Sequence, residues 1–311
     1  MDLLLTLAGL AVLLIGAEGL LRGAVELALR ARLSPLVIGL TVVSMGTSLP
    51  ELLVSLLALL NGSAAISVGN VVGSNIANIS LVLGIAVLLF PVEVDRQAWR
   101  IHWPVMMLAS VVFVWAVQDD TFGRWEGVGY LLALTVYVVY NVRASRRHHP
   151  STSEQSEVPV KAPLWRSLGM LLLGIVALAF GADWFVKGAV GLAEWAGMSQ
   201  QLIGLTVVAV GTSMPELITS IVAALRKQPD ISLGNLIGSN IFNLLGILGL
   251  TAMVRPIPVD SVAFRTDLWA MMLVALVLFP MMRIGGRMGR WQGAVVLCSY
   301  LVYIWIILQR G

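Results

Sequence analysis

The chain has 311 residues, of which 58% are hydrophobic and only 12% charged, and its mean hydropathy is +0.90. Soluble domains carry about 25% charged residues, so this composition excludes an ordinary soluble domain and predicts a membrane protein. The formal net charge is +3. The chain has a single cysteine, Cys298, which excludes an intrachain disulfide and a cysteine-based metal cluster.

Ten segments are long and apolar enough to cross a membrane, since a transmembrane helix needs about 20 mostly apolar residues. The sequence therefore predicts an all-α integral membrane protein with ten transmembrane helices. The predicted segments span 3–29, 35–60, 66–90, 101–118, 124–143, 164–193, 200–225, 231–254, 263–282 and 289–309.

The second and third segments carry a motif that recurs in the seventh and eighth. GTSLPELLVS begins at Gly46 and GTSMPELITS begins at Gly211, so that 165 residues separate Glu51 from Glu216. At the same offset, GNVVGSNIAN recurs as GNLIGSNIFN. The chain is therefore built from two copies of one unit.

Each copy holds five segments, an odd number, so the second copy enters the membrane from the opposite side. Inverted repeats with interrupted helices are typical of secondary transporters. We expect a first repeat at 1–143, a cytoplasmic linker at 144–163 and a second repeat at 164–311. The repeated motifs occupy 35–90 and 200–254.

A proline stands beside the glutamate in each motif. Pro50 lacks the N–H that would bond the carbonyl of Gly46, and Pro215 is its equivalent in the second copy, so both predict kinks. Freed backbone at membrane depth is tolerated only where it is buried in protein or lines a watery cavity. We therefore expect the second, third, seventh and eighth helices to be broken around a site.

Polar residues spaced by three or four in these segments share one helical face. These faces contain Ser44, Thr47, Ser48, Glu51 and Ser55, then Asn70, Ser74 and Asn78, and in the second copy Thr212, Ser213, Glu216, Ser220, Asn235, Ser239 and Asn243. The pattern predicts an oxygen-rich site shared by the two copies.

The two glutamates need compensation, because a carboxylate at the bilayer centre costs about 2.5–3.5 kcal/mol on insertion scales. None of the four segments contains a lysine or arginine, so a bound cation is the natural partner. Carboxylate, hydroxyl, amide and carbonyl oxygens suit calcium or sodium and suit zinc or copper poorly. Two carboxylates balance one divalent ion, which favours calcium exchanging with a monovalent cation. No cofactor is predicted.

The basic residues are unevenly distributed between the two sets of loops. If the N-terminus is outside, the cytoplasmic loops carry fourteen lysines and arginines against four outside. Such a bias sets membrane orientation. We therefore expect a multi-pass protein of the plasma (inner) membrane with both termini external, and no nucleic-acid partner.

The doubled motif resembles the α-repeats of the calcium/cation antiporter superfamily, prokaryotic sodium/calcium exchangers in particular, and the resemblance covers essentially the whole chain. It implies ten helices, with cations bound between the second, third, seventh and eighth. It also implies alternating access by sliding of the first and sixth helices. Glu51 and Glu216 match the carboxylates that calcium and sodium share, and Thr47 and Thr212 match calcium ligands acting through hydroxyl or carbonyl oxygen.

The resemblance also implies flanking sodium sites and a central polar pair. The matching residues are Ser48 with Ser74, Ser213 with Ser239, the carbonyls of Ser44 and Ala209, and the pair Asn78 and Asn243. One departure is that some relatives have aspartate where this chain has Asn243.

The predicted function is therefore secondary active antiport of calcium for sodium, and the chain is not predicted to be an enzyme. An alternative is exchange of calcium for protons on the same fold, with the glutamates carrying the protons. A cation channel with a glutamate ring is a further alternative, against which two inverted copies argue. The expected partners are Ca²⁺, Na⁺ or H⁺ and the lipid bilayer, with no obligate protein partner evident.

Overall fold

The computed structural model describes residues 1–148, 163–198, 209–262 and 264–309, and these are almost entirely helical. The helices are α1 (Asp2–Ala31), α2 (Pro35–Thr47), α3 (Leu49–Leu60), α4 (Ala64–Leu89), α5 (Ala98–Asp119), α6 (Arg124–His148), α7 (Leu164–Trp195), α8 (Ala209–Thr212), α9 (Met214–Leu225), α10 (Pro229–Val254), α11 (Arg265–Arg283) and α12 (Arg290–Leu308).

Eight described helices are long and apolar enough to cross a membrane, and nine spans result if the bent pair α2 and α3 counts as one. They correspond to nine of the ten predicted segments. The seventh predicted segment, 200–225, is described only from Ala209 onward, as α8 and α9, and its first part lies outside the described residues. The chain is an integral, multi-pass membrane protein.

The second predicted segment breaks at Ser48, where α2 and α3 meet at an angle of 44°. Ser48 has φ −88° and ψ 5°, and Ser213, between α8 and α9, has φ −90° and ψ 6°. Pro50 and Pro215 lie in the first turn of the helix that follows each break. A proline is favourable there because its missing N–H has no intrahelical partner to lose.

The expectation that the third and eighth segments are broken is wrong for the described structure. α4 and α10 are continuous, and each passes through a π-helical turn, at Asn78–Val82 and Phe242–Leu248. Neither helix has a proline in its interior, so no N–H is lost and the hydrogen-bond ladder continues with a wider turn. Such π turns are frequent at functional sites, and these two contain Asn78 and Asn243.

Within the described residues, two short antiparallel sheets connect the copies. β1 (Val92–Glu93) pairs with β4 (Arg287–Met288), and β2 (Thr121–Phe122) pairs with β3 (Ile257–Pro258). Each sheet takes one strand from each copy: β3 follows β1 at the same 165-residue offset as the glutamates, and β4 follows β2 at an offset of 166. The sequence repeat is therefore also visible in the strand pairing.

α1 and α7 pack against each other with a glycine at every seventh position. These glycines are Gly9, Gly16 and Gly23 on α1, and Gly174, Gly181 and Gly188 on α7. A Cβ placed on Gly16 would lie 2.9 Å from the Leu178 nitrogen, and one on Gly174 would lie 2.4 Å from the Leu20 nitrogen. Only glycine allows this close backbone approach, so α1 and α7 form one tightly packed pair.

α4 and α10 lie at the centre of the molecule. Their most apolar stretches are 78% and 83% buried, against 22–33% for the other single-helix spans. Polar residues on these two helices therefore face protein and not lipid, which is where such residues are tolerated in a membrane.

Candidate cation-binding site

Glu51 and Glu216 occupy the first turns of α3 and α9, directly after the two helix breaks. Both residues are buried, with 1% and 0% of their surface exposed, and Ser48, three residues before Glu51, hydrogen-bonds to the Glu216 carboxylate. The structure therefore brings the two glutamates of the repeated motif into one buried site, each at the positive N-terminal end of a helix.

The break between α2 and α3 is held against the second copy by hydroxyl groups. The Ser48 hydroxyl donates to Glu216 Oε1 at 3.1 Å. The Thr47 hydroxyl lies 3.3 Å from Asn235 Oδ1, 3.4 Å from Ser239 Oγ and 3.2 Å from the carbonyl oxygen of Ser44. The helix break of the first copy therefore contacts both α9 and α10 of the second copy.

Two asparagines brace the glutamate-bearing helices in matching ways. Asn70 on α4 donates to the carbonyl oxygen of Glu51 at 3.1 Å and to Ser55 Oγ at 2.8 Å. In the second copy, Asn235 on α10 donates to Ser220 Oγ at 3.2 Å. The sequence placed these asparagines on the polar faces without giving them a role, and the structure makes them positioning residues.

Several buried polar atoms of the site have no hydrogen-bond partner among the described residues. They are both carboxylate oxygens of Glu51, Oε2 of Glu216, the Ser213 hydroxyl, and the amide groups of Asn78 and Asn243. Leaving a buried polar group unpaired costs about 1–3 kcal/mol, and such groups call for an explanation. Carboxylate, amide and hydroxyl oxygens are the ligand types that hard cations bind, so this group of atoms is a candidate cation site.

The other predicted ligands lie on the same elements. Ser44 on α2 and Ser74 on α4 are buried, and Ser239 is fully buried on α10. The carbonyl oxygen of Ser44 accepts from the Ser48 backbone N–H at 3.0 Å. Ala209 and Thr212 are the first and last residues of α8.

Thr219 is a buried polar residue that is not part of the repeated polar pattern. It lies one turn after Glu216 on α9, is 0% exposed, and its hydroxyl has no partner among the described residues. Its equivalent in the first copy is Val54. Its spacing of three residues from Glu216 places it on the polar face of α9. Because its equivalent Val54 is apolar, the repeated polar pattern does not include it.

A membrane protein built from two repeated halves, with helix breaks at matching positions around buried polar residues, has the usual architecture of a secondary transporter. The family model described as sodium/calcium exchanger protein matches residues 1–143 and 166–309, so the chain belongs to that family. The resemblance seen in the motifs is confirmed, and the family is one of transporters, not enzymes.

Individual relatives match over nearly their whole length. The chain is 36% identical over 310 residues to the putative antiporter CaxA of Alkalimonas amylolytica, which covers 97% of each chain. It is 34% identical over 308 residues to the inner membrane protein YrbG of Escherichia coli, covering 96% of this chain and 94% of that one. A solved structure of the sodium-calcium exchanger NCX_Mj aligns with a TM-score of 0.81 at 32% identity, covering 97% of each chain.

Proposed function

We propose that this chain exchanges Ca²⁺ for Na⁺ at a site formed by Glu51 and Glu216. The observation that carries the proposal is the buried carboxylate pair, three of whose four oxygens lack a hydrogen-bond partner among the described residues. Two carboxylates neutralise one calcium ion, and the surrounding groups are oxygen donors suited to it. The similarity to a structure named as a sodium-calcium exchanger supports sodium as the counter-ion.

In this proposal calcium binds to the two glutamates with help from Thr47 and Thr212. Sodium ions share the glutamates and use the flanking oxygens. These are Ser48 with Ser74, Ser213 with Ser239, the carbonyls of Ser44 and Ala209, and the amides of Asn78 and Asn243. Because both ions need the same carboxylates, they exclude each other, and this exclusion couples their opposite fluxes.

The close pair of α1 and α7 supplies the moving part in this proposal. Their glycine contacts leave no room for side chains between the backbones, so the two helices would slide as one body past the break-bearing helices. Each position of the pair would expose the site to one side of the membrane. The repeats at 1–143 and 164–311, the cytoplasmic linker at 144–163, the plasma membrane location and the external termini belong to the same proposal.

Proton exchange is the second candidate, and one observation favours it. Both oxygens of the Glu51 carboxylate lack a partner among the described residues, and such a group can carry a proton as readily as it binds a metal ion. In that case calcium and protons would compete for the glutamates.

The test is calcium uptake into proteoliposomes driven separately by each counter-ion. Vesicles loaded with sodium and diluted into sodium-free medium should take up calcium, whereas a pH gradient with sodium absent should not drive uptake. Glu51→Gln and Glu216→Gln should each abolish the uptake while the protein still folds, because each removes half of the neutralising charge. Uptake driven equally by a pH gradient alone would reject sodium in favour of protons, and full activity of either variant would reject the site.

A further inference from the structure

The two copies share one sequence pattern but are not equally buried. Ile218 and Val222 on α9 are 7% and 9% exposed, whereas their equivalents Leu53 and Leu57 on α3 are 55% and 56% exposed. The same apolar face is therefore covered in the second copy and open in the first. Sequence alone does not explain the difference, because the residues at both positions are large and apolar.

α1 is the helix that covers the α9 face. Ile218, Val222 and Ala223 form one hydrophobic cluster with residues of α1 that include Leu21 and Ala24. By the repeat relation, α7 would cover α3 in the same manner, and the exposure of Leu53 and Leu57 shows that it does not. The described structure is thus one of two possible arrangements, with the α1–α7 pair closed on the α9 side.

A charged contact stands at the end of this closed interface. Arg226, the residue that caps α9, forms an ion pair with Glu18 of α1. Glu18 also pairs with Arg22, one turn along α1, at 2.6 Å. The side chains of Arg226 and Glu18 are only 31% and 33% exposed, so their attraction is less screened than that of a fully exposed pair.

The sequence provides this contact on one side only. The equivalent of Glu18 is Asp183, which pairs with Lys187 at 2.7 Å as Glu18 does with Arg22. The equivalent of Arg226, however, is the uncharged Asn61 at the end of α3. If α7 closed on α3, Asp183 would find no cation at that helix end.

We propose that Glu18 and Arg226 form a one-sided latch that stabilises the arrangement with α1 closed on α9, an inference that rests on the proposed antiport function. The latch touches no residue of the ion site and acts only on the balance between the two arrangements. A partly exposed ion pair is worth up to about 1 kcal/mol, which is about fivefold in the ratio of the two states. Glu18 keeps Arg22 when Arg226 is replaced, so breaking the latch leaves no isolated charge.

The test measures opening of the α1–α9 interface directly. Ala223 lies in this interface and is 1% exposed, so Ala223→Cys in a Cys298→Ala background should react slowly with a water-soluble thiol reagent. Adding Arg226→Asn, which supplies the amide found in the other copy, should speed the reaction about fivefold. Loss of a nearby positive charge lowers the reactive thiolate fraction, so that local effect would slow the reaction and cannot mimic the expected result.

Three further variants in the same background make the result specific. Glu18→Gln breaks the latch from α1 and should speed labelling as Arg226→Asn does, whereas Arg226→Lys keeps the charge and should label at nearly the parental rate. Lys227→Asn removes the same charge one residue further on, at a position with φ 58° that asparagine tolerates, and should change nothing.

Either of two results would overturn the latch. One is an unchanged labelling rate in both Arg226→Asn and Glu18→Gln, and the other is an increase in Lys227→Asn as large as that in Arg226→Asn. Labelling is read on the purified full-length chain at one fixed sodium concentration, independently of calcium flux. A labelling shift in a protein without sodium-driven calcium uptake would therefore uphold the latch and reject the proposed function. Sodium-driven uptake without the shift would reject only the latch.

Discussion

The Ser48 hydroxyl donates a hydrogen bond to Glu216 Oε1 at 3.1 Å, which joins the helix break of one copy to the carboxylate of the other. Its equivalent, Ser213, has a buried hydroxyl without a partner among the described residues. The two serines have nearly the same sequence context and backbone conformation, yet among the described residues only Ser48 contacts a glutamate in this arrangement. The site is therefore built by contacts between the copies as well as by each copy alone.

We predict that Ser48→Ala weakens calcium binding more than Ser213→Ala does. A hydrogen bond to a charged group is worth about 1.5–3 kcal/mol, so losing the Ser48 contact should lower apparent calcium affinity roughly tenfold or more. The measurement is calcium-dependent uptake at a fixed sodium gradient, with both variants beside the parent. Equal effects of the two substitutions would show that the Ser48 contact does not position Glu216.

We predict that Asn70→Ala impairs both folding stability and transport, whereas Ser55→Ala is mild. Asn70 donates to the carbonyl oxygen of Glu51 and to Ser55 Oγ. Removing it takes away both of these contacts beside the ion site, each worth about 0.5–1.5 kcal/mol, although the carbonyl keeps its bond within α3. Ser55→Ala removes only the second contact, and the brace on Glu51 remains.

The measurements for this pair are the thermal midpoint of the purified protein and calcium uptake in proteoliposomes. Asn235→Ala repeats the test in the second copy, where the same donor contacts Ser220. If Asn70→Ala had a small effect on both measurements and Ser55→Ala a large one, Asn70 would not be the residue that positions Glu51.

The repeat and the identity of the two glutamates could be predicted from sequence because polar residues stand out in apolar segments. Glu51 and Glu216 recur at one offset, and Pro50 and Pro215 correctly indicated that the helices break nearby. The glutamates therefore needed no structural information to be singled out. The break itself falls at Ser48, two residues before the proline, because proline is favourable in a first turn.

Other features could not be predicted because they depend on how the copies meet. The contacts of Thr47 with Asn235 and Ser239 cross between copies, and a repeat read along one chain gives no such pairing. The π turns around Asn78 and Asn243 contain no proline to mark them. The unequal burial of Leu53 and its equivalent also follows from which arrangement the helices adopt, since the repeated pattern permits both.

We predict that Gly174→Ala destabilises the protein, whereas Gly169→Ala on the same helix does not. A Cβ on Gly174 would lie 2.4 Å from the backbone nitrogen of Leu20, and one on Gly169 would meet no atom within 4 Å. The first change must push α1 and α7 apart, at a cost of about 1–3 kcal/mol. The second should be neutral or slightly stabilising, since alanine is the better helix former. The measurement is the thermal midpoint of each variant in detergent. Equal midpoints for Gly174→Ala and Gly169→Ala would contradict the close packing of α1 against α7.

We predict that the linker at 144–163 faces the cytoplasm, as the distribution of basic residues indicates. Ser151, which lies outside the described residues, offers a position for Ser151→Cys in a Cys298→Ala background. Cells should be labelled by an impermeant thiol reagent only after their membranes are opened. A matched Asn61→Cys, in a loop on the opposite side, should react in intact cells, and the reverse pattern of labelling would invert the proposed topology.

Asn243→Asp tests whether the amide on the π turn of α10 faces the ions. Asn243 is 0% exposed and its amide has no partner among the described residues. Replacing it adds a third carboxylate, so one bound calcium no longer neutralises the site and a proton or sodium ion must balance the extra charge.

We therefore predict that Asn243→Asp still transports calcium but with a steeper dependence on pH than the parent, because a proton can now compete for that balancing position. The measurement is calcium flux from about pH 6 to about pH 9 at a fixed sodium gradient, with Asn240→Asp as a control. Asn240 donates to the carbonyl of Leu236 within its own helix at 2.8 Å, so a carboxylate there should lower stability without reshaping the profile. Superimposable normalised profiles for the parent and Asn243→Asp would mean that Asn243 lies away from the ions.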